Sequence, residues 1–168
     1  MPRIAGVATG VPPYRIDQET AREFVRGLFG DKREDGAGVD IERLLPVFAN
    51  AGIDSRHFAR PIGWFRTPKT LGEKNAAYIG AATSLGAEVS RAVMAETGTD
   101  RSQIDCIIYI NTTGLATPSI DARLVNVLGL PSGIRRMPIW GLGWAGGAAG
   151  IAHATNYLKG NPKGRVLL

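Results

Sequence analysis

Two rhythms of apolar residues take turns along the chain. In the helical rhythm, Ala21, Phe24, Val25 and Leu28 recur at spacings of three and four. Asp17 stands before them as a helix cap, and Gly30 stops the pattern. Asp40 opens a second stretch through Leu44, Leu45 and Phe48, with Pro46 inside to kink it or cut it short. Between the two, "DKREDGAG" reads as a solvated loop, and "GWFRTPKTLGEKN" reads as irregular. The longest helical pattern runs from about Glu73 to Glu96, with Tyr78, Ala82, Leu85, Val89 and Val93 as its stripe and Gly98 as its end. Ser119 can cap another, with Ile120, Leu124, Val127 and Leu128 inward. The strand rhythm appears in "RIAGVAT" (Arg3 to Thr9), which "GVPPY" ends, and again in "RRMPIW" and "GRVLL". "DCIIYI" is apolar throughout, which predicts a strand covered on both faces. Strands that alternate with helices predict a layered α/β fold.

"GLGWAGGAAG", residues 141–150, follows a predicted strand and opens a helix of very small residues that runs to about Leu158. Such a helix can approach neighbouring backbone closely, which predicts a central, buried position. Three readings of the turn compete. Gly141, Gly143 and Gly146 match G-x-G-x-x-G, the loop that cradles a pyrophosphate. That fingerprint also wants an acidic residue about 20 positions on, and no Asp or Glu follows Asp121. The second reading is a nucleophile elbow. A side chain at the first turn of a helix feels the dipole and free N–H groups, and a cysteine there would be acidified. The residue held out is Trp144, whose indole has no nucleophilic atom. The third reading is structural, with Trp144 as a large core residue.

Composition narrows the class. With 168 residues, 44% hydrophobic and 21% charged, the chain suggests a single globular domain. No apolar run is long enough to span a bilayer, and "MPRIAGVATG" lacks the shape of a signal peptide, so a cytoplasmic protein with no membrane partner is expected. Cys106, the single cysteine, reads as a core residue of its strand. The net charge of +5 is uneven: Arg123, Arg135, Arg136, Lys159, Lys163 and Arg165 follow the last carboxylate. This segment could attract a phosphorylated ligand or meet acidic residues elsewhere. Its cations are not interleaved with aromatics, so no nucleic-acid partner is expected.

"NTTGLATPSIDARLVNVLGLP", followed by "IRRMPIWGLGWAGGAAGIAHA", closely resembles the type III polyketide synthases, the chalcone and stilbene synthase family. "ERLLPVFANAGIDSRHFARP" and the first strand resemble that family too. The resemblance implies the N-terminal half (1–168) of a thiolase-like fold: a mixed sheet with covering helices and a buried central helix after the elbow. It also implies a homodimer, or a complementary C-terminal half that is absent here. The implied chemistry is acyl transfer from CoA and decarboxylative condensation of malonyl-CoA, with CoA thioesters as substrates and no cofactor or metal. On this resemblance Trp144 takes the place of the family's nucleophilic cysteine, which implies a chain incompetent in acyl transfer. The family's catalytic histidine and asparagine have no match; His57 and His153 are read as structural or surface residues. Thr112 resembles a residue that lines the acyl cavity. Thr117 resembles a loop residue that reaches into the partner's cavity. Gly143 of the turn and Arg56, in a region whose basic residues meet CoA phosphates, complete the implied substrate-binding set. A non-catalytic CoA-binding or dimerisation module is the alternative.

Overall fold

Asp17 accepts a hydrogen bond from the Thr20 amide at 2.7 Å and opens α1 (Gln18–Phe29), whose end is closed by Gly30. The computed structural model describes residues 1–30 and 40–168. They form two compact units: 11–69, and 1–10 together with 70–168. The expected loop "DKREDGAG" lies outside the described residues.

In the smaller unit Pro46 divides the second helical pattern into α2 (Ile41–Leu44) and α3 (Pro46–Asn50). Its ring has no N–H to continue the first helix, and it sits without cost in the first turn of the next. β1 (Tyr14–Asp17) pairs antiparallel with β2 (Ser55–Phe58), with Tyr14 opposite Phe58 and Asp17 opposite Ser55. Four residues are too few for a period of two to show in the sequence. Residues read as irregular include a 3₁₀ turn, Ile62–Arg66, whose Trp64 and Phe65 rings meet edge to face.

In the larger unit α4 (Leu71–Glu96) begins two residues before the expected start. Thr70 is its cap: the hydroxyl accepts from the Glu73 amide at 3.2 Å, and the Glu73 carboxylate takes the Thr70 amide at 2.8 Å. The helix buries two faces. Ala87, with Tyr78, Ile79, Ala82 and Met94, joins the core built on Ile107, Ile120, Leu124 and Leu128. Leu85 and Val89 instead face the N-terminal segment, where a Cβ on Gly10 would stand 2.9 and 2.6 Å from them. That segment, Arg3 to Thr9, was expected to be a strand, and it forms none. Ile4 and Val7 are exposed along it, and no described strand runs beside it to complete a ladder.

The larger unit's sheet is wholly parallel, in the order β4-β3-β5, from β3 (Cys106–Asn111), β4 (Arg135–Trp140) and β5 (Val166–Leu167). Among the described residues the expected mixed sheet is thus a parallel sheet plus a separate antiparallel pair. α5 (Ile120–Leu128) links β3 to β4, and α6 (Gly146–Gly160) leads from β4 back to β5 on the other side of β3. Reversing direction across β3 puts the two helices on opposite faces. Ile107 accordingly joins α5 in the core, while Ile110 meets Gly146 and Gly150 of α6. Cys106 is fully buried, as a core residue should be.

Two details depart from the sequence reading. In α5, Val127 is exposed, and the fully buried Asp121 stands with Ile120, Leu124 and Leu128. In α6, only one side is covered. Gly146 and Gly150 are buried against Ile110, but Gly147, Ala148, Ile151 and Ala152 are exposed. The expectation of a buried central helix therefore fails here: small residues permit close packing, and no described element packs on that side.

Candidate functional site

Parallel strands present their C-terminal ends, and the loops beyond them, as the place where α/β sheets bind ligands. In this chain that place is made by β3, which ends at Asn111, and β4, which ends at Trp140, opposite one another in the ladder. The Gly141 amide donates to the Asn111 carbonyl at 3.1 Å and ties the two exits together. Thr112 is the first residue past β3 and is exposed. The chain beyond β4 turns sharply. Gly141 has φ of 88° and Gly143 a φ of 53°, left-handed values that a side chain would strain.

Trp144 follows in a single 3₁₀ turn, Gly143–Ala145, and α6 begins two residues later. Its relative exposure reaches 105%. The structural reading of Trp144 as a core residue is therefore wrong for this chain, and the indole fills no cavity of the chain's own. The elbow geometry is present: strand, left-handed glycines, one side chain held out, then a helix. The Ala145 amide is bonded to the Leu142 carbonyl at 3.1 Å, and the Gly146 amide to the Gly143 carbonyl. These two amides serve the turn and are not open to an oxyanion.

Thr117 lies further along the loop that Thr112 begins, is exposed, and precedes a cis peptide to Pro118. The same loop is closely fitted. A Cβ on Gly114 would come within 2.6 Å of the Tyr78 ring, and Tyr78 and Tyr109 share a hydroxyl hydrogen bond at 3.1 Å. Burial, and then that bond, push the Tyr109 hydroxyl well above the usual phenol range. The structure thus brings Thr112, Gly143 and Trp144 to adjoining strand ends and places Thr117 on the same loop as Thr112.

Arg56 belongs to the other unit. Its Nε donates to the Gln18 side-chain oxygen at 3.0 Å, and its guanidinium lies 5.6 Å from the centre of the Phe48 ring. His57 is exposed and bonds through Nδ1 to the Pro12 carbonyl at 3.0 Å, and His153 is exposed on α6. Among the described residues, three of the late cations have partners for their side chains. Arg136 pairs with Asp121, Arg123 with the Pro118 carbonyl, and Arg135 lies over the Tyr157 ring. Cys106 cannot substitute as nucleophile, because it is sealed in β3 and burial pushes its thiol pKa up. Among the described residues no group of three or more His, Cys, Asp and Glu is placed to hold a metal ion. No helix among them is long and apolar enough to cross a membrane.

Sequence reasoning missed two site-proximal residues. Asn111 has its side-chain oxygen buried and without a hydrogen bond, at the end of β3. The one available signal was an amide at the end of an otherwise apolar strand. Asp121 gave no signal, since an acidic residue in the first turn of a helix is ordinary.

Comparison with known proteins settles the lineage. The family description "chalcone and stilbene synthases, N-terminal domain" matches residues 65–168. The chain belongs to this family. A Bacillus subtilis protein whose name places it with the chalcone synthases is 36% identical over 170 residues, covering 98% of this chain and 45% of that protein. The 1,3,6,8-tetrahydroxynaphthalene synthase of Streptomyces peucetius is 32% identical, over 98% of this chain and 42% of its own length. The crystal structure of the Streptomyces coelicolor tetrahydroxynaphthalene synthase, a bacterial type III polyketide synthase, superposes with a TM-score of 0.84 at 28% identity. That match covers 95% of this chain and 44% of the synthase. The chain therefore spans less than half the length of these relatives, and its fold is that of the N-terminal half of the thiolase-like type III polyketide synthases.

Proposed function

We propose that this chain is the elbow-bearing half of a type III polyketide synthase in which the nucleophile position is held by Trp144, so that it loads no acyl group itself. The reading rests on one observation: Trp144 stands fully exposed on a left-handed glycine turn, between a parallel strand and the small-residue helix. The solved Streptomyces coelicolor enzyme, a bacterial type III polyketide synthase, carries the same fold over this span. In the reaction proposed for the class, a thiolate attacks an acyl-CoA, forms an acyl thioester and releases CoA, and decarboxylated malonyl-CoA then extends it. An indole has no atom that can accept the acyl group in the first step.

The test is Trp144→Cys. The variant, mixed with the C-terminal half of a relative such as the Streptomyces peucetius synthase, should gain one acyl mass on incubation with an acyl-CoA. The unsubstituted chain should gain none. A variant that stays unacylated would mean that position 144 is not the reaction centre.

A second reading, an assembly module, is favoured by the exposed apolar residues around the turn and on α6: Leu115, Trp140, Leu142, Trp144 and Ile151. Monomers rarely leave large apolar patches uncovered. The occupant would be a second copy or a C-terminal half, and CoA thioesters are the ligands this reading would retain.

A further inference from the structure

The geometry points to Asp121 and Arg123, on the first turn of α5, as the positioning residues of the loop that holds out Thr117. Asp121 is completely buried, and its Oδ2 accepts from Arg136 Nη1 of β4 at 3.0 Å. Its other oxygen is buried and bonded to no protein group. Two residues on, Arg123 Nε reaches back and donates to the Pro118 carbonyl at 3.1 Å. Ser119, at the cap position, makes no side-chain bond to the helix. The start of α5 is therefore held from outside the helix: through Asp121 to the strand that leads into the Gly-rich turn, and through Arg123 to the loop beside Thr117.

Stability alone does not account for such an arrangement. A carboxylate buried with one oxygen unbonded, its other oxygen paired to an arginine that stays exposed, is no better for stability than an apolar residue packed in its place. What it adds is direction. An Arg–carboxylate contact fixes one orientation of helix start on strand, which apolar packing does not. The middle of the same loop is held independently, by the Leu115 amide donating to Asn75 of α4 at 3.2 Å. Thr112 and Thr117 are thus set on a span anchored at both ends, with β3 and Asn75 on one side and the Asp121–Arg123 turn on the other.

That Thr117 matters to a partner rests on the proposed function; the clamp itself does not, and the two can fail separately. ¹⁵N relaxation on the chain measures backbone order directly. Ala116 and Thr117 should show order parameters near the rigid value of about 0.85, falling below about 0.6 in Asp121→Ala and in Arg123→Met, while Thr113 and Leu115, held by β3 and Asn75, keep theirs. Residues of α6 should stay unchanged in both. Asp121→Asn, which keeps an oxygen for Arg136, should restore the loop. Arg123 is only partly buried, so its variant carries the test if Asp121→Ala does not fold. A loop that stays rigid in Arg123→Met overturns the proposal, as does a loop that loosens only together with α6. If the loop loosens while self-association by sedimentation is unmoved, the clamp stands and the partner role of Thr117 falls.

Discussion

A tryptophan is an expensive side chain to leave in water, and Trp144 is left there completely. Its position follows from its neighbours. Two left-handed glycines swing the backbone outward, and the small residues that follow give the indole nothing to lean on. The consequence is measurable in stability. Trp144→Ala should change the unfolding free energy by no more than about 0.5 kcal/mol, the usual range for surface positions. A core tryptophan would lose about 3–5 kcal/mol. Denaturant unfolding decides between the two, and a loss of the larger size would place the indole inside the fold.

At the scale of elements, the caps are where single changes should be felt: Asp17 and Asp40 cap as the sequence marked them, Ser119 makes no side-chain cap bond, and Thr70 is a cap the sequence reading did not mark. Thr70 and Glu73 satisfy each other's amides at the start of α4. Thr70→Ala should therefore cost about 1 kcal/mol, read as a lowered denaturation midpoint. Asp17 makes a pH-dependent cap. The backbone amide and then the hydroxyl of Thr20 hold its carboxyl below the usual carboxylate range. A depressed acid contributes stability that is fully present above its unfolded pKa and is lost as pH falls through the folded value. The first turn of α1 should accordingly fray in acid below the ordinary carboxylate range. An NMR titration of the Thr20 amide follows this, and a cap that tightens rather than frays as the pH falls would reverse the sign. The same scale shows where pattern reading fails. Val127 matched the inward spacing of α5 yet is exposed, because Ile120, Leu124 and Leu128 already fill one narrow stripe and Asp121 turns in beside them.

For the whole molecule, apolar surface is what stays uncovered. Ile4 and Val7 on the N-terminal segment, and Ile151 on the uncovered side of α6, are apolar and exposed. Burying apolar area is worth roughly 25 cal/mol per Å², so these faces favour association. The chain should elute from size exclusion larger than a monomer, or bind an apolar-surface dye and melt broadly. A sharply melting monomer that ignores the dye would count against an assembly role. The segment Arg3–Thr9 should likewise exchange its amides rapidly when the chain is alone, since no described strand pairs with it.

Local chemistry was written in the sequence. The caps at Asp17 and Asp40, the break at Pro46, the buried strand around Cys106, and the turn that lifts position 144 all followed from residue types and short spacings. Each depends on atoms a few positions apart, so the sequence alone determined them. The family was legible for a related reason: two long motifs sit around that same turn. Only the tertiary structure decided which surfaces are covered. It exposed the indole, left α6 open on one side, and kept Arg3–Thr9 from becoming a strand. It also tied Arg56 to Gln18 and Phe48, and sank Asp121 beneath α5. Burial and pairing depend on what lies across from a residue in space, and a pattern along one chain records that a face is apolar without recording whether anything is there to cover it.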